Sequence, residues 1–96
     1  MTLLPVSIYK VKDNSMIPTI RDGDYVISVG WYGNIRRGDI IVLRHPAGAM
    51  RLVKRVERVD ADSVYVVGDN RTESGDSRNF GAVKRQLLLG KVVAVI

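Results

Sequence analysis

A serine hydroxyl is a weak nucleophile and attacks a carbonyl only when a base takes its proton. Ser15 lies in Asn14-Ser15-Met16-Ile17-Pro18-Thr19, where an apolar strand ends and a proline-containing segment begins. Pro18 fixes its own φ and pushes Ile17 toward an extended conformation. A serine at such a turn can present its hydroxyl, and neighbouring backbone N–H groups can point at a developing oxyanion. Turn and N-cap roles are the commoner fate of serine, so the local sequence leaves both readings open.

Two residues compete to be the base. His45 is the single histidine, and it precedes Pro46 at a strand end, which reads as a turn position. A Ser-His-Asp triad would depend on that one residue. A lysine serves only as the neutral amine, so its ordinary pKa of about 10.4 must fall through burial. Lys54 suits this need, because in a strand Leu52, Lys54 and Val56 share one face while Arg55 and Glu57 point the other way. By base rate, however, a single strand lysine is a solvated surface residue.

The elements that must hold these groups are short and rich in β-branched residues, which suit a pleated, half-buried surface. Strands are expected at Val6 to Lys12, Tyr25 to Val29, Ile40 to Arg44, Leu52 to Val59, Ser63 to Val67 and Lys91 to Ile96. The fourth and fifth form a hairpin across Asp60-Ala61-Asp62, and glycine-containing turns separate the others. Only Met16 to Ile20 and Val83 to Leu89 could carry a helical turn. This pattern predicts an all-β fold: a small, mostly antiparallel barrel or folded sheet. The 96 residues suit one domain, spanning 1–96.

Composition narrows the function classes. There is no cysteine, which excludes disulfides, thiolate catalysis and cysteine-ligated metals. One histidine cannot build a histidine-rich metal site, and no cofactor is expected. The net charge of +5 invites a nucleic-acid reading. Against it, Arg36-Arg37 and Lys84-Arg85 are only pairs, and the aromatics do not interleave with the basic residues. No stretch approaches the ~20 apolar residues that span a bilayer, and residues 1–10 do not read as a signal peptide. The sequence-level expectation is therefore a soluble, cytoplasmic chain with no nucleic-acid partner and no integral membrane segment.

Four segments in order carry a family resemblance: Ser15-Met16-Ile17-Pro18-Thr19; Arg37-Gly38-Asp39-Ile40-Ile41-Val42; Val53-Lys54-Arg55-Val56; and Gly68-Asp69-Asn70 with Ser74-Gly75-Asp76-Ser77-Arg78. Together they resemble the successive boxes of the type I signal peptidases, over about Val11 to Val93. The resemblance implies a serine endopeptidase with Ser15 as nucleophile and Lys54 as general base. It implies that Ser74 hydrogen-bonds and orients the lysine amine. Asp76 and Arg78 match a structural ion pair, with Asp69 and Arg55 close to it, and Met16 matches a residue lining the substrate groove. The Ser15 N–H would be one oxyanion donor.

Family members often carry Ser or Gly two residues before the nucleophile and Gly directly before it; here the pair is Asp13-Asn14. An ionised Asp13 cannot donate a hydrogen bond and would repel an oxyanion. The second oxyanion donor then falls to the Asn14 side chain or to a backbone N–H. The short segment between Lys54 and Gly68 lacks the extra β domain of large bacterial signal peptidases, and no N-terminal anchor is expected. In these respects the chain resembles the nickel-type superoxide dismutase maturation proteases, which implies a protein precursor as partner and removal of its N-terminal propeptide. Two other readings share these boxes: the core of a membrane-anchored signal (leader) peptidase, and a Ser/Lys autoprotease of the SOS-repressor type.

Overall fold

Alternation of apolar and polar residues in short runs, each closed by a tight turn, gives a single antiparallel sheet. A computed structural model describes residues 5–30, 34–73 and 75–96. Its strands are β1 (Val6–Lys10), β2 (Tyr25–Val29), β3 (Ile40–Arg44), β4 (Arg51–Val59), β5 (Ser63–Val67), β6 (Val83–Lys84) and β7 (Leu88–Val95). They hydrogen-bond in the order β1-β2-β7-β3-β4-β5-β6 and curl into a half-barrel. The expected all-β, mostly antiparallel fold is the observed one.

The central strand β3 is covered on both faces, because Ile41, Val42 and Leu43 are all buried. Ile41 and Leu43 join Leu52, Val56, Val64, Val66, Val83 and Leu88 in one apolar cluster. Val42 points the other way and joins Val11, Met16, Ile20 and Val26 in a second. The second cluster lies under the Ser15 turn. That turn thus rests on an apolar floor laid down by its own neighbours, Met16 and Ile20, both with no exposed surface. Within it the Ile20 N–H donates to the Met16 carbonyl at 3.0 Å, which closes the one helical turn expected there.

Several expected boundaries move. β1 stops at Lys10, β4 begins at Arg51, and β7 begins at Leu88 instead of Lys91. Val83 to Leu89 does not form a helical turn throughout. Val83 pairs with Val64 and Leu88 pairs with Leu43, so the sheet claims both ends and leaves a 3-10 turn at Arg85–Leu87. A short helix not foreseen in the sequence, α1, covers Ser77–Phe80. Asp76 caps it by accepting the Arg78 N–H, and Gly81 ends it at φ +81°. Four residues are too few to show helical periodicity.

Candidate active site

Lys54 sits in the middle of β4, where every second residue from Leu52 to Val56 is buried and Val53 and Arg55 between them are half-buried. Its side chain falls on the buried side with Leu52 and Val56, opposite Ile41 of β3. Only 2% of Lys54 is exposed, and it forms no ion pair among the described residues. Burial pushes its amine below the ordinary lysine range. Asp13 and Asp76 act through space in the opposite direction, and Arg78 reinforces the burial.

Ser15 is 4% exposed and opens the turn over Met16 and Ile20. Three contacts from the Gly68-Asp69-Asn70 box fix the chain here. The Asn70 N–H donates to the Ser15 carbonyl at 2.8 Å, and Asn70 Nδ2 donates to the Asn14 carbonyl at 3.0 Å. Gly68 lies so close that a Cβ there would stand 2.6 Å from the Ser15 carbonyl oxygen. Only glycine tolerates that approach. Asp13 binds Ser15 from the other side: one carboxylate oxygen, Oδ1, accepts the Ser15 N–H at 3.1 Å and the Ser15 hydroxyl at 2.9 Å.

Two ion pairs flank Gly68. Asp76, 1% exposed, pairs with Arg78 at 2.7 Å and accepts the Gly68 N–H at 2.9 Å. Burial alone would raise the Asp76 carboxyl. Hydrogen bonds from the Arg78 side chain and from the Gly68 and Arg78 N–H groups outweigh it and hold the carboxyl below the usual range. On the other side Arg55 makes a two-pronged contact with Asp69, Nε to Oδ1 and Nη2 to Oδ2, both at 2.8 Å. That fork is the main cause holding the Asp69 carboxyl low. Asp69 also accepts the Thr19 hydroxyl at 2.6 Å, and Arg55 Nη1 donates to the Gly38 carbonyl at 2.7 Å. One network therefore ties together all four sequence boxes: Thr19, Gly38, Arg55 and Asp69.

The sequence-derived residues are placed as follows. Asp76 pairs with Arg78, and Asp69 pairs with Arg55, as two separate bridges joined through Gly68-Asp69. Ser74 lies outside the described residues. Arg78 Nη2 donates to the Glu73 carbonyl at 3.0 Å, and the Gly75 N–H donates to Asn79 Oδ1 at 2.7 Å. Met16 does not face a groove, because it is wholly buried in the cluster beneath Ser15. Asn14 is exposed, and its carbonyl serves as acceptor to Asn70 and Ile17. Thr19 and Gly38 were not singled out from the sequence. A threonine and a glycine carbonyl leave no signature there beyond membership in their boxes.

His45 is occupied elsewhere. Its Nδ1 accepts the Ala47 N–H at 3.0 Å, and its ring stands edge-on to Phe80 at 5.2 Å. Among the described residues no group of three or more acidic or histidine side chains is placed to hold a metal. A cavity of about 640 Å³ runs from Ile8 and Tyr9 on β1, past Val42 and Val53, to Asp13 beside the serine. No helix among the described residues is long and apolar enough to cross a membrane.

Comparison with known proteins identifies the family. The "Peptidase S24-like" family model matches residues 4–93. The chain is 30% identical to mitochondrial inner membrane protease subunit 2 of Schizosaccharomyces pombe, over 95% of this chain and 64% of that protein. It is 31% identical to signal peptidase I U of Bacillus subtilis, over 64% of this chain and 34% of that protein. A shorter match to signal peptidase I of Leptolyngbya laminosa reaches 51% identity over 38% of this chain and 18% of that protein. The chain thus spans less than two-thirds of the length of each of these three relatives. A family match over nearly the whole chain, on a half-barrel whose boxes come together near Ser15, settles the membership: this chain belongs to the Peptidase S24-like family and is similar to signal peptidase I and mitochondrial inner membrane protease proteins.

Proposed function

We propose that this chain is a serine endopeptidase in which Ser15 attacks the scissile carbonyl and Lys54, as a neutral amine, takes the hydroxyl proton. The observation that carries this reading is the burial of Lys54. A lysine 2% exposed, without an ion pair among the described residues, is costly to keep charged, and its amine is driven toward the neutral form. An amine that releases its proton near neutral pH is matched to work as a base there. The Ser15 proton passes to the Lys54 nitrogen as the oxygen bonds to the carbonyl carbon. The resulting ammonium can then protonate the leaving amine.

The substrate is a protein precursor that loses an N-terminal extension. The cavity beside Asp13 supports this, with apolar walls from Val11, Val42 and Val53 and, among the described residues, β1 at the edge of the sheet. An extended segment can pair with such an edge and seat alternate side chains in the cavity. The relatives, signal peptidase I and mitochondrial inner membrane protease, suit the catalytic core of a signal (leader) peptidase. They lend no support to the nickel superoxide dismutase propeptide as substrate. Reaction with a panel of precursor proteins, read by mass spectrometry of new N-termini, tests the reading. Cleavage by the wild type and none by a folded Ser15→Ala variant is expected. Equal cleavage by Ser15→Ala would refute it.

A further inference from the structure

Resting on the Ser15/Lys54 reading, we infer that Asp13 is a positioning residue that latches the nucleophile: its carboxylate occupies both groups of Ser15 that the reaction needs, and substrate must displace it. The two bonds from Asp13 Oδ1 are the evidence. The Ser15 N–H is the group available to receive an oxyanion, and it is already given to a carboxylate at 3.1 Å. The Ser15 hydroxyl donates to the same oxygen at 2.9 Å, so its proton is held by Asp13 in the free enzyme. A carboxylate and an oxyanion cannot share one N–H donor, because both are acceptors and both are negative.

The surroundings let this latch open. Asp13 is exposed, unlike the buried Ser15 it holds, and it lies at the end of the 640 Å³ cavity. Asp13 lines that cavity, whereas Ser15 is held behind it by the two bonds to its carboxylate. Swinging the carboxylate into solvent frees the N–H for the substrate oxygen and releases the hydroxyl to Lys54. Asp13 has a second effect through charge. Lys54 feels Asp13 from the segment after β1, Asp76 and Arg78 at the start of α1, and Glu73 from the loop before it. Of these charges Asp13 acts most strongly, and it favours the ammonium, so it opposes the burial that makes the amine a base.

The test separates occupancy from charge with two variants and two readouts. Asp13→Asn keeps an acceptor oxygen but removes the charge; Asp13→Ala removes both. The first readout is acylation by p-nitrophenyl acetate. Ser15 Oγ bonds to the acetyl carbon, the acetyl–oxygen bond breaks, p-nitrophenolate leaves, and the serine proton passes to Lys54. Asp13→Ala is expected to acylate three- to tenfold faster than wild type. Both variants are expected to move the rise of rate with pH to lower pH. Slower acylation by Asp13→Ala, with that rise unmoved, would mean that Asp13 only shapes the turn, and would overturn the inference. The second readout is the amide proton resonance of Ser15. It should lie downfield in the wild type, where the N–H is given to the carboxylate, and move upfield in Asp13→Ala. An amide resonance unmoved by Asp13→Ala would overturn the inference independently of any chemistry. A wild type that acylates no faster than Ser15→Ala would instead refute the nucleophile, and the amide shift would still decide the latch.

Discussion

The alpha carbon of Gly68 faces the Ser15 carbonyl so closely that a Cβ would stand 2.6 Å from its oxygen. The atom it would strike is backbone, so nothing can rotate away. The Ser15 turn would have to lift, stretching the Asn70 N–H bond to the same carbonyl, now 2.8 Å. Gly68→Ala is therefore expected to cost roughly 1–3 kcal/mol of stability, as overpacked sites do. It should also lower kcat/KM at least tenfold, because the nucleophile shifts. Urea unfolding and peptide cleavage check both. Full activity in Gly68→Ala would mean that this contact does not position Ser15.

The Arg55–Asp69 fork makes a second expectation. Arg55 grips both oxygens of Asp69 and also the Gly38 carbonyl. A lysine keeps the charge but loses the planar fork. Because Arg55 is about a third exposed, the loss is modest, roughly 1–2 kcal/mol. Arg55→Lys should lower the urea midpoint accordingly, and Asp69→Asn should add little further in the double variant. Fully additive losses would show that the two residues act separately.

Much of this arrangement is readable in the sequence, and the parts that are not have physical reasons. The burial of Lys54 follows from strand alternation, since Leu52 and Val56 flank it on one face. The Ser15 turn follows from its proline and from the apolar residues Met16 and Ile20 that anchor it. Strand order does not follow: β7 inserts between β2 and β3, a long-range pairing that no local pattern encodes. The Asp76–Arg78 pair is one the family resemblance already implies, whereas Arg55 and Asp69 meet only because β4 and β5 form a hairpin. Met16 shows the opposite failure, where a motif position suggested a groove and the side chain went to the core.

Acid should loosen the fold through Asp69 and Asp76. Hydrogen bonds from Arg55 and Arg78 hold both carboxyls below the unfolded value of about 3.9. On acidification the unfolded chain therefore takes up protons first. The stability these pairs add is present above about pH 4 and is lost as pH falls through the folded-state values. Thermal unfolding from pH 6 to pH 2 should show a steep fall in Tm at the acid end. The fall should be shallower in Asp69→Asn, which has less left to lose.

In the proposed mechanism Lys54 trades stability for chemistry. Its depressed pKa means that the unfolded chain binds more protons between the folded value and about 10.4, so stability rises with pH across that window. Methionine matches lysine in length without the charge. Lys54→Met should abolish cleavage and raise Tm at neutral pH by roughly 5 °C or more, equivalent to about 1 kcal/mol in a domain of this size. Differential scanning calorimetry reads this directly. A variant less stable than wild type would mean that the amine contributes to the fold.

The most direct test of the Ser15/Lys54 chemistry is an NMR titration of the Lys54 side chain in the folded enzyme, set beside the pH dependence of kcat/KM. The expected result is a Lys54 transition well below the ordinary value of about 10.4, coinciding with the rising limb of activity. The same limb should persist in His45→Gln, since His45 is engaged with Ala47 and Phe80. A Lys54 that titrates near 10.4, or an activity limb that disappears with His45, would contradict the neutral-amine mechanism.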